Sequence, residues 1–131
     1  MDKDQMERIE RTADKLEIQE VIYQLARGID RCDEEVLKNC YHEGATDDHG
    51  QFKGTAEEFI TWVIPVLKTM EATQHCICNI LINLDGEKAK TESYFLAFHR
   101  LNIKDVDSDM VAAGRYLDSF EKKDGVWAIT H

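Results

Sequence analysis

Chemistry at neutral pH that needs no cofactor rests on side chains able to take and return a proton, and histidine, with an ordinary pKa near neutrality, comes first. His42, His49 and His99 stand singly in the sequence. His49 is the most pointed of them, because it follows Asp47 and Asp48 on a polar, strand-like stretch that could reach the mouth of a pocket. His75 heads a run of period two. Its odd positions, His75, Ile77, Asn79, Leu81 and Asn83, are mixed, and its even positions, Cys76, Cys78, Ile80, Ile82 and Leu84, are uniformly apolar. The even face reads as plain core. The mixed face suits a half-polar ligand pocket and an ordinary solvent face equally. In the next strand Ala89, Thr91, Ser93, Phe95, Ala97 and His99 form a small, neutral face with two rings that could line a cavity. The strand after it divides into Val111, Ala113, Arg115 and Leu117 against Ala112, Gly114, Tyr116, Asp118 and Phe120, and periodicity alone does not say which set meets the helices.

Among the carboxylates, Asp30 lies four residues after Ala26 and seven after Tyr23, so the three share one side of a helix at the border of its apolar face. An acid there is either a surface group or a buried one with a partner, since burying an unpaired charge is costly. Asp105-x-Asp107-x-Asp109 resembles the opening of a calcium loop, but Met110 replaces the turn glycine and Tyr116 the bidentate glutamate. Cys76-x-Cys78 has no second pair at zinc-ribbon spacing, so the thiols read as structural. No nucleophile elbow, phosphate-binding loop or dinucleotide fingerprint is present, which leaves covalent serine catalysis and nucleotide chemistry without support.

The elements that must position these groups follow from periodicity. Ile18, Val21, Ile22, Leu25, Ala26 and Ile29 mark one helix over residues 14–31, weakened near its end by Gly28. Asp33 is an N-cap for a short second helix carrying Val36, Leu37 and Cys40. Thr55 with Glu58 forms a capping box opening a third, with Phe59, Trp62, Val63, Val66, Leu67 and Met70 on its apolar face and a kink or break expected at Pro65. Asp85-Gly86 and Asp124-Gly125 signal two hairpins, 74–84 with 88–100 and 112–121 with 126–131, and residues 102–109 between them read as an acidic loop. The plan is α+β, with helices gathered against one curved antiparallel sheet.

The chain has one-domain length, 131 residues, with 43% apolar residues. Its 26 acidic against 16 basic residues give a net charge of −10, which argues against nucleic acid and anionic membrane surfaces as partners. The polar, acidic N-terminus does not resemble a cleaved signal, no apolar run approaches a membrane span, and four cysteines fit reduced thiols. A cytoplasmic protein is expected.

Several segments together carry a family resemblance: Leu25–Asp33, Tyr41–Ala45, Gly54–Phe59, Thr73-Gln74-His75, Gly114-Arg115-Tyr116 and Phe120–Trp127. In this order they resemble the SnoaL-like branch of the nuclear transport factor 2-like superfamily, over nearly the whole chain. The resemblance implies a single domain over residues 1–131: a cone-shaped curved antiparallel sheet wrapped around about three helices, as in ketosteroid isomerase-like barrels, enclosing one deep pocket. It is nearest to cofactor-free lyases such as hexachlorocyclohexane dehydrochlorinase, scytalone dehydratase and bile-acid 7α-dehydratase. In that group an Asp near the end of the first long helix pairs with a His at the start of the strand after the third helix, and Asp30 and His75 fall on those positions.

The resemblance therefore implies a cofactor-independent, dehydratase-like lyase or isomerase in which Asp30 and His75 act as a general acid/base pair on a small hydrophobic, cyclic molecule. Tyr23, His49, Trp62, Asn79, Phe95 and Arg115 are the accompanying pocket or proton-donor candidates. Neither a metal nor an organic cofactor is called for, and relatives suggest a homodimer or homotrimer. Two departures stand out. The dehydrochlorinase-like enzymes carry a basic pocket residue in the segment matching Glu121–Asp124, where Lys122 and Lys123 sit beside a hairpin turn. Relatives also continue past the position of His131, so the last strand reads as cut short. The rival reading is a non-catalytic small-molecule-binding or assembly subunit on the same fold. An epoxide hydrolase or cyclase, with an acid and a water in place of carbon deprotonation, is a third.

Overall fold

The computed structural model describes residues 1–131, and no helix in it is long and apolar enough to cross a membrane. Helix α1 (Lys3–Arg31) begins well before the expected residue 14. Residues 3–13 are exposed on every side, so they carry no apolar period, and the Asp2/Gln5 capping box starts the helix instead. Asp14, Ile18, Ile22, Ala26 and Ile29 form its buried stripe. The helix stops at Cys32, which takes the left-handed conformation (φ 50°). Asp33 then caps α2 (Glu34–Asn39) by accepting from Val36 N–H at 3.2 Å. Gly28 is explained by this corner: a Cβ there would meet Leu37 Cδ2 at 2.9 Å, so glycine lets α2 fold tightly back on α1.

Strands β1 (Thr46–Asp48) and β2 (Lys53–Thr55) form a small antiparallel pair that delivers the chain to α3 (Ala56–Lys68), capped by Thr55 and Glu58 as expected. The helix runs through Pro65 to Lys68 rather than breaking. Pro65 lies in the final turns, where the lost amide removes one hydrogen bond from a helix already held by buried Phe59, Ile60 and Leu67. The main sheet has the order β3 (Ala72–Asp85), β4 (Lys88–Ile103), β5 (Val106–Lys123) and β6 (Val126–Ile129), antiparallel throughout. The two Asp-Gly hairpins form where the sequence signals them. The expected acidic loop does not. β4 and β5 pair down to Ile103↔Val106, closing on Lys104 and Asp105, both at positive φ. Solvent bathes this tip, so no apolar alternation marks it; Arg100–Asp109 and Asn102–Asp107 side-chain bonds across the strands hold it instead.

A β-bulge between Ile77 and Ile80 changes the parity of β3. Before it, Thr73, His75 and Ile77 turn towards the helices; after it, Ile80, Ile82 and Leu84 do, while Cys78, Asn79 and Leu81 are exposed. The continuous even-numbered core face is thus wrong for Cys76 and Cys78. On β4 the inward set is Ala89, Thr91, Ser93, Phe95, Ala97 and His99; on β5 it is Ala112, Gly114, Tyr116, Asp118 and Phe120.

Two apolar clusters fill the cone. One joins Ile18 and Ile22 of α1 to Ala89, Phe120, Trp127 and Ile129; the other joins Ile29, Leu37, Phe59, Ile60 and Leu67. Each fully buried large side chain contributes about 1.5–3 kcal/mol. The buried Asp14 carboxylate ties α1 to the last hairpin, accepting from Trp127 Nε1–H at 2.9 Å and Lys122 Nζ at 3.1 Å. Removing it strands the Trp127 donor in the core. Asp14→Ala is expected to lower unfolding stability in urea by about 1–3 kcal/mol, and Asp14→Asn, which still accepts from Trp127, by less. Equal stability of Asp14→Ala and wild type would contradict this anchoring role.

Candidate active site

The last turn of α1 and the first residues of β3 meet at Asp30. Its Oδ1 accepts from His75 Nδ1 at 2.7 Å and from Thr73 Oγ1 at 3.1 Å, and the His75 backbone N–H donates to Oδ2 at 2.9 Å. The pair is sheltered, with side-chain exposures of 9% for His75 and 19% for Asp30. With Nδ1–H donated to the carboxylate, the lone pair of the neutral ring lies on Nε2. His99 of β4, across from Thr73, meets the His75 ring edge-on with centroids 5.5 Å apart.

His75 stands between two spaces. On one side a recess of about 320 Å³ runs along the α1–β3 seam, bordered by Tyr23, Arg27, Asp30 and Arg31. On the other a small interior cavity of about 10 Å³ lies among Ile22, Leu25, Ile29 and Ile77, with Tyr116 and Asp118 of β5 on its wall. That volume holds about one water. Asp118 keeps part of its surface open, yet protein crowds its carboxyl enough that burial pushes it up to about 7, helped by Asp47 and opposed by His49. Burial likewise pushes Tyr116 up to about 12, and it raises Tyr41, with Asp47 and Asp118 adding to the effect.

A second histidine–carboxylate pair lies on this far side. His49 Nδ1 meets Asp47 Oδ2 at 2.5 Å, and its ring stacks on Phe59 with centroids 4.4 Å apart and lies 6.1 Å from Tyr116. Phe95 is inward but occupied, stacked on Tyr116 at 4.2 Å. Tyr23 is 46% exposed and borders the outer recess rather than the interior. Three candidates are displaced outright. Arg115 lies on the outer face of β5, paired with Glu92 at 2.8 Å, because the inward parity of that strand belongs to Tyr116 and Asp118. Asn79 is turned out by the bulge. Trp62 on α3 joins Phe59 and Phe52, which precedes β2, in an aromatic group, and borders neither space beside His75. Lys122 is bound to Asp14 and Lys123 to Glu121, so neither supplies a pocket cation.

Asp118, Tyr116 and the Asp47–His49 pairing are what sequence reasoning passed over. The usable signal was Tyr116-x-Asp118-x-Phe120, an acid placed at core parity between two aromatic residues.

A curved antiparallel sheet around three helices, with ionisable groups turned into the cone, defines a nuclear transport factor 2-like fold. Residues 10–131 match the model of the SnoaL-like domain, and the chain belongs to that family. A search of curated proteins found no match. The Kfla4162 protein of Kribbella flavida superposes with a TM-score of 0.82 at 16% identity, over 92% of this chain and 88% of that one. A scytalone dehydratase-like protein of Novosphingobium aromaticivorans gives 0.80 at 22% identity, over 92% and 81%. The type 2 hexachlorocyclohexane dehydrochlorinase LinA gives 0.82 at 21%, over 93% and 84%.

The raised Asp118 carboxyl has a consequence for stability. From its ordinary 3.8 up to about 7, the folded protein keeps a proton there that the unfolded chain has released. Stability therefore falls as pH rises through that window and levels above it. At about 1.4 kcal/mol per pKa unit the effect is on the order of a few kcal/mol. Asp118→Asn is expected to gain stability relative to wild type in urea unfolding at pH 8 compared with pH 5, and a difference that does not change with pH would contradict the shift.

Proposed function

We propose that the protein is a cofactor-independent lyase or isomerase acting on a small hydrophobic molecule, with His75 as general base and Asp30 as its positioning carboxylate. The observation that carries this reading is the 2.7 Å Asp30–His75 contact, reinforced by the His75 backbone and Thr73. Such an arrangement holds the imidazole in one tautomer, aims Nε2 away from the carboxylate and stabilises the imidazolium formed when the ring takes a proton. In an elimination, Nε2 takes a proton from carbon. The C–H electron pair becomes the new double bond, and the bond to the leaving group on the neighbouring carbon breaks. In an isomerisation the same proton returns at another carbon.

Among the structural relatives, the LinA dehydrochlorinase and the scytalone dehydratase-like protein carry names that denote eliminations, which agrees with this chemistry. An imidazole is a modest base, so the C–H bond must be activated by a neighbouring carbonyl or by approaching aromatisation. The rival reading, a non-catalytic ligand-binding subunit, draws on the size of the interior cavity: about 10 Å³ admits a water and no ring. For a lyase, substrate must displace the apolar walls of that cavity.

Incubation with a panel of small cyclic ketones and halides, followed by assay for eliminated water or halide, tests the two. On any compound turned over, His75→Ala and Asp30→Asn are each expected to reduce kcat about 10²–10⁴-fold with unchanged circular dichroism. Saturable ligand binding without product, equal in wild type and His75→Ala, would favour the binding subunit.

A further inference from the structure

The cavity shared by His75 and Asp118 separates the two halves of an elimination. His75, on β3, can remove a proton from carbon, and Asp118, two strands away on β5 in the same sheet, borders the same cavity facing α1. We propose that Asp118 is the acid that protonates the leaving group, and that the natural substrate therefore loses water from a hydroxylated, uncharged molecule. This rests on the lyase reading above and narrows it.

Charge is the first reason. A halide leaves as an anion without needing a proton, and a site for it would offer a cation. The cationic side chains are elsewhere: Arg115 is bound to Glu92 on the outer face, Lys122 to Asp14 and Lys123 to Glu121, while Arg27 and Arg31 border the recess on the other side of His75. Hydroxide is a poor leaving group and departs only with a proton. A carboxyl held at about 7, in its neutral form below that pH, can supply one.

Unused polar groups on the same sheet face are the second. Thr91 and Ser93 stand directly across from Asp118 and Tyr116 in the β4–β5 register. Their hydroxyls are buried, at 4% and 0% residue exposure, and neither has a hydrogen-bond partner. Orphaned buried hydroxyls are costly unless something completes them. They lie one strand from the Asp118 and Tyr116 that border the small cavity, and a substrate oxygen that leaves as water would complete them.

The step balances. His75 Nε2 takes the proton from the activated carbon, and the C–H pair forms the C=C bond. The C–O bond breaks with its pair going to oxygen, and that oxygen takes the Asp118 proton to become water. The histidine is left as imidazolium on Asp30 and Asp118 as carboxylate, and exchange with solvent restores both. The groups facing Asp118 are Asp47 and His49 from the β1 region, Tyr41 ahead of it, Tyr116 on its own strand and His75 on the same cavity, with the Asp30 charge reaching Tyr116. Burial first, and a negative Asp47 after it, keep the carboxyl neutral; a protonated His49 opposes them.

Two probes that give the same product isolate the acid: 3-hydroxycyclohexanone loses water and 3-chlorocyclohexanone loses chloride, both yielding 2-cyclohexenone. Rates are followed by enone absorbance above the uncatalysed background. Asp118→Asn is expected to raise the chloride-to-hydroxyl rate ratio about 100-fold, whereas His75→Ala slows both probes and leaves that ratio alone. Wild-type water loss should also fall as pH rises through about 7, with no matching fall for chloride. An unchanged ratio in Asp118→Asn, or wild-type turnover of the chloride alone, overturns the role of Asp118 while the lyase reading stands. Turnover of neither probe overturns both.

Discussion

One carboxylate at a helix end organises this molecule. Asp30 sits in the last turn of α1, where the helix macrodipole disfavours a negative charge. It is kept there by donors from β3: the His75 backbone, the His75 ring and the Thr73 hydroxyl. Those bonds fasten the end of a 29-residue helix to the start of a 14-residue strand. They also set the rotation of the imidazole, so one interaction serves packing and chemistry. Asp14 plays the corresponding part nearer the other end of the buried stripe of α1, fastening it to Trp127 and the final hairpin. Between these two anchoring acids, Ile18, Ile22 and Ala26 lie against the sheet, and the space left over is narrow.

That narrowness shapes the functional reading. The interior groups are polar enough to act and closely enough packed to exclude bulk water, a setting in which a proton donor and a proton acceptor keep distinct characters. His75, backed by Asp30, is provided with a proton acceptor for its Nδ1–H. Asp118, crowded by protein and close to Asp47, is driven towards its neutral form. A base and an acid bordering one cavity follow from the different surroundings of two carboxylates. The second pair, Asp47–His49, stacked on Phe59, adjusts the acid.

Much of the fold was legible because its signals are local. The buried half of α1, the caps at Asp33 and Thr55 and the two Asp-Gly hairpins each depend on a few neighbouring residues. The misreadings come from non-local facts. The bulge at Ile77/Ile80 has no signature in composition, yet it reverses the parity of half a strand and turned Asn79 and Cys78 outwards. Arg115 failed for a related reason, since alternation divides a strand into two faces and only packing says which is inside. The β4–β5 tip reads in sequence as a loop because strands exposed on both faces lose the apolar alternation. Asp30 with His75, 45 residues apart, was reached through family resemblance alone. Asp118 falls in sequence within the Ala112–Phe120 set, whose side alternation leaves open, and an enclosed acid without a partner looks there like any surface acid.

The central claim is that Asp30 holds His75 with the proton on Nδ1 and the lone pair on Nε2. Nitrogen-15 NMR of the histidine rings, with His75 assigned by comparison with His75→Ala, tests it most directly. In the neutral form, the account predicts a protonated, pyrrole-type Nδ1 with a strongly hydrogen-bonded proton that is weakened in Asp30→Asn, and an unprotonated Nε2. A His75 ring carrying its proton on Nε2, or one whose spectrum is the same in wild type and Asp30→Asn, would contradict it.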